Sequence, residues 1–281
     1  MSIAFTKMHG LGNDIMIIDA TAQTDVDPLL NTDSVAALGD RRTGVGFDQL
    51  MVIEPPADRA HMASYRIFNG DGSSALQCGN GVRCVAAYLA RDRALVLPAA
   101  LTLEGPTGLV HCEVLSAGEV SVVMTEPSFA PAELPFDAGA QPGPVYSLPT
   151  ASGPVLFTAV SVGNPHAVLQ VEDVDTAEVA NIGRALNDHD AFPLGVNVEF
   201  AQIMSPEQIR MRVFERGVGE TRACGSGACA AVAALRRREQ IGDSVQVILP
   251  GGTLVISWRA TGEPITMRGP VETVFEGNLT T

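Results

Sequence analysis

A chain of 281 residues with 46% hydrophobic and 18% charged residues has the apolar material for two ordinary domains and is not a disordered polymer. Its formal net charge of −14 argues against binding a nucleic-acid backbone, which takes clustered Lys and Arg. No basic amphipathic stretch or run of about 18 apolar residues points to a membrane, and the start "MSIAFTKMHGLGND" has no signal-peptide pattern, so a cytoplasmic enzyme or binding protein for a small molecule is expected.

Along the chain, "DIMIID" from Asp14 reads as a strand and residues 31–38 as a first helix. Strands follow at "LMVIEP" from Leu50 and "YRIFN" from Tyr65, then a helix over 82–91 behind Cys78. A glycine-centred hairpin, "LTLEGPTGLVHCEV" from Leu101, precedes the strand "EVSVVMT" from Glu119. The Pro-, Ala- and Gly-rich stretch 127–154 opens a second half and is expected to contain irregular surface loop. There "LFTAVSVG" from Leu156, a helix over 176–186, "VNVEFAQIM" from Val196 and "IRMRVFE" from Ile209 lead to a helix over 228–238. A second hairpin, "VQVILPGGTLVISW" from Val245, closes the series.

The chain repeats itself. "FNGDGSSALQCGNG" from Phe68 and "FERGVGETRACGSG" from Phe214 align, with Phe68/Phe214 and Cys78/Cys224 both 146 positions apart, and each is followed by a helix and a glycine hairpin. The expected fold is therefore an α/β chain of α+β type. It comprises two pseudosymmetric, β-rich mixed-sheet domains, each wrapped around a central helix, with the active site in the cleft between them. The expected limits are 1–125 plus 266–281 for the domain carrying Cys78, and 126–265 for the domain carrying Cys224.

The five cysteines, Cys78, Cys84, Cys112, Cys224 and Cys229, are odd in number and lack zinc-ligand spacing, and the histidines show no ligand pattern, so neither a disulfide framework nor a metal is assigned. Cys78 and Cys224 each sit just before a helix, beside glycines that let backbone N–H groups approach a ligand. Helix N-termini favour anions, so each end suits a substrate carboxylate and is expected to lower the thiol from its ordinary value of about 8.5. Two such thiols on opposite faces of one carbon suit inversion at that carbon: one takes the proton and the other supplies a new one. The usual alternative for amino acids is pyridoxal phosphate on a lysine, but Lys7 is the only lysine and lies beside "HGLGND" rather than a phosphate cup. A cofactor-free reaction is expected.

The motifs "KMHGLGND" at Lys7, "GVGFDQL" at Gly44, "FNGDGSSALQCGNGVRC" at Phe68, "VGNPHAV" at Val162, "GVNVEF" at Gly195 and "ERGVGETRACGSGAC" at Glu215 together resemble the diaminopimelate epimerases, members of the cofactor-independent two-thiol epimerase superfamily. Gly70 stands where alanine is usual and Ser226 where threonine is usual. The resemblance implies that Cys78 and Cys224 are the catalytic pair interconverting LL- and meso-diaminopimelate, in lysine and peptidoglycan precursor biosynthesis. It implies that Gly79, Asn80, Gly225 and Ser226 bind the reacting carboxylate. Asn13, Gln49, Asn69, Asn164, Asn197, Glu215 and Arg216 would line the rest of the site, with Arg216 on the distal carboxylate. His166 and Glu215 would tune the thiols, and a homodimer is expected.

Each assignment has a plainer counterpart. Asn13 can cap a turn, His166 can be a loop residue, and Glu215 can be a surface partner of Arg216. Cys84, Cys112 and Cys229 read as small buried hydrophobes, and Asp14, Asp48 and Asp71 as loop-fixing acids. Three readings compete with the epimerase: a proline-type racemase, a phenazine-type isomerase, and a non-catalytic amino-acid binder using the helix ends as carboxylate cradles. A proline pocket has no use for Arg216 and three asparagines, and a phenazine-type enzyme does not need both cysteines.

Overall fold

The computed structural model describes residues 2–23, 26–137, 139, 143–151 and 153–280. The chain forms two compact units, Met1–Val123 with Arg268–Thr281, and Met124–Met267.

In the first unit, β1 (Ser2–Gly10) turns through Leu11 and Gly12, both at positive φ, into β2 (Asn13–Asp19), which puts Asn13 at the head of its strand. Glycine is the residue that takes this backbone without cost. Helix α1 (Thr32–Gly39) is capped by Asn31, whose side chain accepts the Ser34 N–H. Strands β3 (Gln49–Glu54), β4 (Ala63–Asn69) and the short β5 (Ser74–Ala75) lead to α2 (Gly79–Asp92), and then to β6 (Ala99–Gly105), β7 (Gly108–Ser116) and β8 (Glu119–Met124). The second unit runs β9 (Val145–Thr150), β10 (Gly153–Ser161), β11 (Pro165–Gln170), α3 (Val179–Asn187), β12 (Asn197–Ser205), β13 (Gln208–Glu215) and β14 (Gly219–Thr221). It continues through α4 (Gly225–Arg237), β15 (Ser244–Leu249), β16 (Gly252–Ser257) and β17 (Ile265–Pro270), and β18 (Glu272–Thr280) returns to the first unit.

Strand pairing is the same in both units. In the first, β1 and β2 are antiparallel, β2 and β3 parallel, β3 and β4 antiparallel, β4 and β5 antiparallel, β4 and β6 parallel, and β6 and β7 antiparallel. In the second, β10 through β16 repeat that series, from the β10–β11 pair to the β15–β16 pair. The extra strand differs in origin: β9 pairs with β10 just ahead of it, whereas β18 comes from the far end of the chain to pair with β1.

Each unit packs around its helix. Helix α2 lies against β1, β2, β3 and β7, and α4 against their counterparts β10, β11, β12 and β16. Val82, Val85, Ala86 and Leu89 are buried on α2, and Ala228, Ala231, Val232 and Leu235 on α4. Alanines let the strands come close, while each buried Val or Leu contributes about 1.5–3 kcal/mol over exposure. The second unit adds an aromatic cluster of Phe136, Tyr146, Phe157 and Phe192, with Phe136 stacked on Phe192 at 4.7 Å between centroids.

The stretch from 127 to 154, expected to contain irregular loop, also contains a strand, Val145–Thr150. Its alternating buried residues Tyr146 and Leu148 drive that strand, and Pro149 does not disrupt it. Residues 138, 140–142 and 152 of that stretch lie outside those described. No helix among the described residues is long and apolar enough to cross a membrane.

Candidate active site

The first half-site is built at the N-terminus of α2. Cys78 is its N-cap, in extended conformation, and its Sγ accepts the Gly81 N–H at 3.1 Å. The helix therefore offers one of its unsatisfied donors directly to sulfur, the arrangement that favours a thiolate. Asn13 Oδ1 lies 3.8 Å from Sγ and accepts the Asn80 amide at 3.2 Å, and Asn80 Oδ1 in turn accepts from the buried Arg83 guanidinium at 2.7 Å. Asn13 donates to Asp48 at 3.0 Å, so it is held from both ends. Gln49 and Asn69 face one another across β3 and β4, with Gln49 donating to Asn69 Oδ1 at 3.1 Å. The three acids expected to fix loops do so: Asp14 and Asp48 grip Arg41, and Asp71 holds the Ser73 turn. Lys7 is buried and bound to Asp14 at 2.8 Å and to the Gly46 carbonyl.

The second half-site stands at the N-terminus of α4. Cys224 is again the N-cap, but it is almost fully buried, where Cys78 is half-exposed. Its Sγ is 3.5 Å from Ser226 Oγ; Asn164 Nδ2 donates to that oxygen at 3.4 Å; Asn164 Oδ1 lies 2.9 Å from His166 Nε2; and His166 Nδ1 is 2.7 Å from Glu199 Oε1. His166 is no loop residue. It sits on β11, wholly buried together with Glu199. Asn197 Oδ1 accepts the Arg216 backbone N–H at 2.8 Å, while the exposed Arg216 guanidinium donates to the Leu194 carbonyl at 2.9 Å. Glu215 accepts from the Thr221 hydroxyl and makes no ion pair with Arg216, which removes the surface-pair reading.

One expectation is overturned. A helix N-terminus alone lowers a thiol, yet Cys224 is pushed well above its ordinary value. Burial is the first cause and the negative charges of Glu215 and Glu199 add to it, while Ser226 and the Gly227 N–H pull the other way without winning. Burial likewise raises Cys84 and Cys112 to about 12, as suits thiols that only fill space.

Within the first unit the structure joins Cys78, Asn13 and Asn80 into one network, with Gln49 and Asn69 as a second pair. Within the second it joins Cys224, Ser226, Asn164 and His166, with Asn197 holding the backbone of Arg216. Gly79 and Gly225 are the first residues of their helices. Sequence reading missed Arg83 and Glu199. A charged residue inside an apolar helix or strand, "GVRCVAAYLA" or "NVEFA", was the available signal, because burying it requires a partner. Among the described residues no cluster of three or more His, Cys, Asp or Glu is placed to hold a metal.

Two units repeating one sheet around a cysteine-capped helix define an architecture shared with known epimerases. A hydroxyproline epimerase from Agrobacterium vitis superposes with a TM-score of 0.71 at 18% identity, over 99% of this chain and 91% of that one. A phenazine biosynthesis protein from Bacillus anthracis superposes with a TM-score of 0.68 at 15% identity, over all of both chains. These likenesses show the fold. Sequence goes further: the family model described as diaminopimelate epimerase matches residues 5–130 and 158–274. Diaminopimelate epimerases of Chromobacterium violaceum and Pseudomonas paraeruginosa are 46% and 45% identical, each over 99% of both chains. The chain belongs to the diaminopimelate epimerase family, and it is an isomerase.

Proposed function

We propose that the protein interconverts LL- and meso-diaminopimelate by a two-thiol proton exchange, without a cofactor, with Cys78 and Cys224 as the reacting groups. The observation that carries this is the paired placement of each cysteine as N-cap of its unit's central helix. Cys78, half-exposed and receiving the Gly81 N–H, is the readier base; Cys224, desolvated by burial, is the readier acid. In the forward direction the Cys78 thiolate takes the α-proton, and the Cys224 thiol gives its own to the opposite face. The product leaves a Cys78 thiol and a Cys224 thiolate. The carbanion formed between the two steps spreads charge onto the α-carboxylate, where N–H groups of the two helix ends can receive it. Asn80 and Ser226 would add side-chain donors to that carboxylate, and Gln49, Asn69, Asn164 and Asn197 would line the site. Arg216 would take the distal carboxylate in a bidentate grip. His166 and Glu215 would tune the thiols, Glu215 by its charge near Cys224. A cytoplasmic homodimer in lysine and peptidoglycan precursor synthesis fits the same reading.

The test is incubation with LL-diaminopimelate in heavy water without added cofactor. Appearance of the meso isomer with deuterium at the α-carbon is expected. A protein that binds diaminopimelate without exchanging its α-proton is a binder, and the reading fails.

A further inference from the structure

The two half-sites share a backbone plan and differ in what lies beneath the thiol. Parallel pairing sets Ile15 opposite Gln49 in the first unit and His166 opposite Asn197 in the second. Two residues further along those third strands stand Met51 and Glu199. Each presses on the glycine of its helix's first turn: a Cβ built on Gly81 would meet Met51 Sδ at 2.7 Å, and one on Gly227 would meet Glu199 Oε1 at 2.7 Å. An apolar pair, Ile15 and Met51, thus underlies Cys78, where the ionisable pair His166 and Glu199 underlies Cys224.

We propose that Glu199 is a positioning residue: sharing one proton with His166, it fixes the direction of the hydrogen-bond chain through Asn164 and Ser226, so that the chain ends as a donor to Cys224 Sγ. The proposal rests on Cys224 being a reacting thiol. Its physical basis is burial. Both side chains are fully buried, so a net-neutral pair is favoured over a net negative one. Among the described residues Glu199 Oε2 has no hydrogen-bond partner, which further disfavours a bare carboxylate. The neutral pair is either carboxylate with imidazolium or carboxylic acid with imidazole. In both forms Nε2 carries a hydrogen and donates to Asn164 Oδ1. That fixes the Asn164 amide with Nδ2 toward Ser226 Oγ, and the Ser226 hydroxyl is left to donate to sulfur. The charged groups acting on Cys224 are Glu215 from β13 and Glu199 from β12, with His166 of β11 paired to the latter. Ser226 is the side chain opposing their effect. A buried acid that has just released its proton beside two carboxyl groups needs such a donor in addition to the Gly227 N–H, whereas the half-exposed Cys78 has the Gly81 N–H and an apolar floor.

The readout is the pH dependence of iodoacetamide alkylation, resolved at Cys78 and Cys224 by peptide mass. Glu199→Met removes the partner of Nδ1 but, because the His166–Glu199 pair is net neutral, no net charge, so the lost donor decides the sign and the Cys224 midpoint should rise by about one pH unit, a tenfold loss of thiolate at a fixed pH. The double change His166→Ile with Glu199→Met, which copies the packing already present under Cys78, guards against a folding failure and should show the same rise. In both, the Cys78 profile should stay where it is. Glu199→Gln can donate its amide hydrogen to Nδ1 and keep Nε2–H pointing outward, so it should restore the parent Cys224 midpoint. A parent-like Cys224 profile in the double variant, or Glu199→Gln behaving as Glu199→Met does, overturns the proposal. A shifted Cys224 midpoint in a parent protein that exchanges no α-proton would leave the positioning role standing and sink the epimerase reading instead.

Discussion

Met51 and Glu199 occupy the same place in the two halves of the chain, each lying 2.7 Å from where a Cβ would stand on the first-turn glycine of a cysteine-capped helix. One is a flexible thioether and the other a buried carboxyl held by His166. The duplicated frame therefore carries two chemically different floors, and this difference makes several behaviours measurable.

The two glycines should respond unequally to alanine. Gly→Ala inside a helix gains about 0.8–1 kcal/mol from propensity, while overpacking costs about 1–3 kcal/mol. Met51 can swing its end aside for a Gly81 Cβ, so Gly81→Ala is expected to be near neutral. Glu199 is pinned, so Gly227→Ala is expected to lower the denaturation midpoint. Chemical denaturation of both variants checks the order.

Arg216→Lys keeps a positive charge and loses the planar fork. Losing a charge-assisted hydrogen bond of about 1.5–3 kcal/mol predicts a tenfold to hundredfold fall in kcat/KM for diaminopimelate, with alkylation of both active thiols unchanged. Undiminished turnover would free Arg216 from the distal carboxylate.

Cys84 should behave as packing. It is fully buried and its thiol is raised to about 12, so iodoacetamide should leave it unmodified in the folded protein near neutral pH. Cys84→Ala is expected to cost about 1 kcal/mol of stability and little activity. Peptide mapping and thermal unfolding settle both points.

Glu104 gives an acid-sensitive loop anchor. The Asp58 N–H, His61 and the Ala57 N–H hold its carboxyl down to about 2 from a usual 4.5. A depressed folded-state value stabilises the protein above the unfolded value, and that contribution is lost as pH falls from about 4.5 toward 2. Glu104→Gln should therefore flatten the fall of the thermal midpoint across that window.

The repeat and the cysteine-capped helices were legible because glycine, cysteine and small apolar residues recur at one spacing. Their starts were less so: reading the helix from 82 misses that Cys78 itself caps, so that Gly79 is already helical. Strand β18, exposed along most of its length, carries too little alternation to announce itself and owes its existence to the β1 ladder. Strand β11 was hidden because Asn164-Pro165 reads as turn, although Pro165 can open a strand. Glu199 was visible as an acid between Val198 and Phe200, but its partner lies 33 positions away and only the parallel β11–β12 pairing brings them together. The polar residues near each helix start were visible one by one, apart from Arg83 and Glu199, and the hydrogen-bond order among them was not.

The central claim is that both thiols react, and the most direct measurement is diaminopimelate turnover by Cys78→Ala and Cys224→Ala, each checked for a native circular dichroism spectrum. Each variant should be folded and should lose epimerisation altogether, because a missing acid is as damaging as a missing base. A folded variant of either kind turning over diaminopimelate near the parent rate would contradict the two-thiol mechanism.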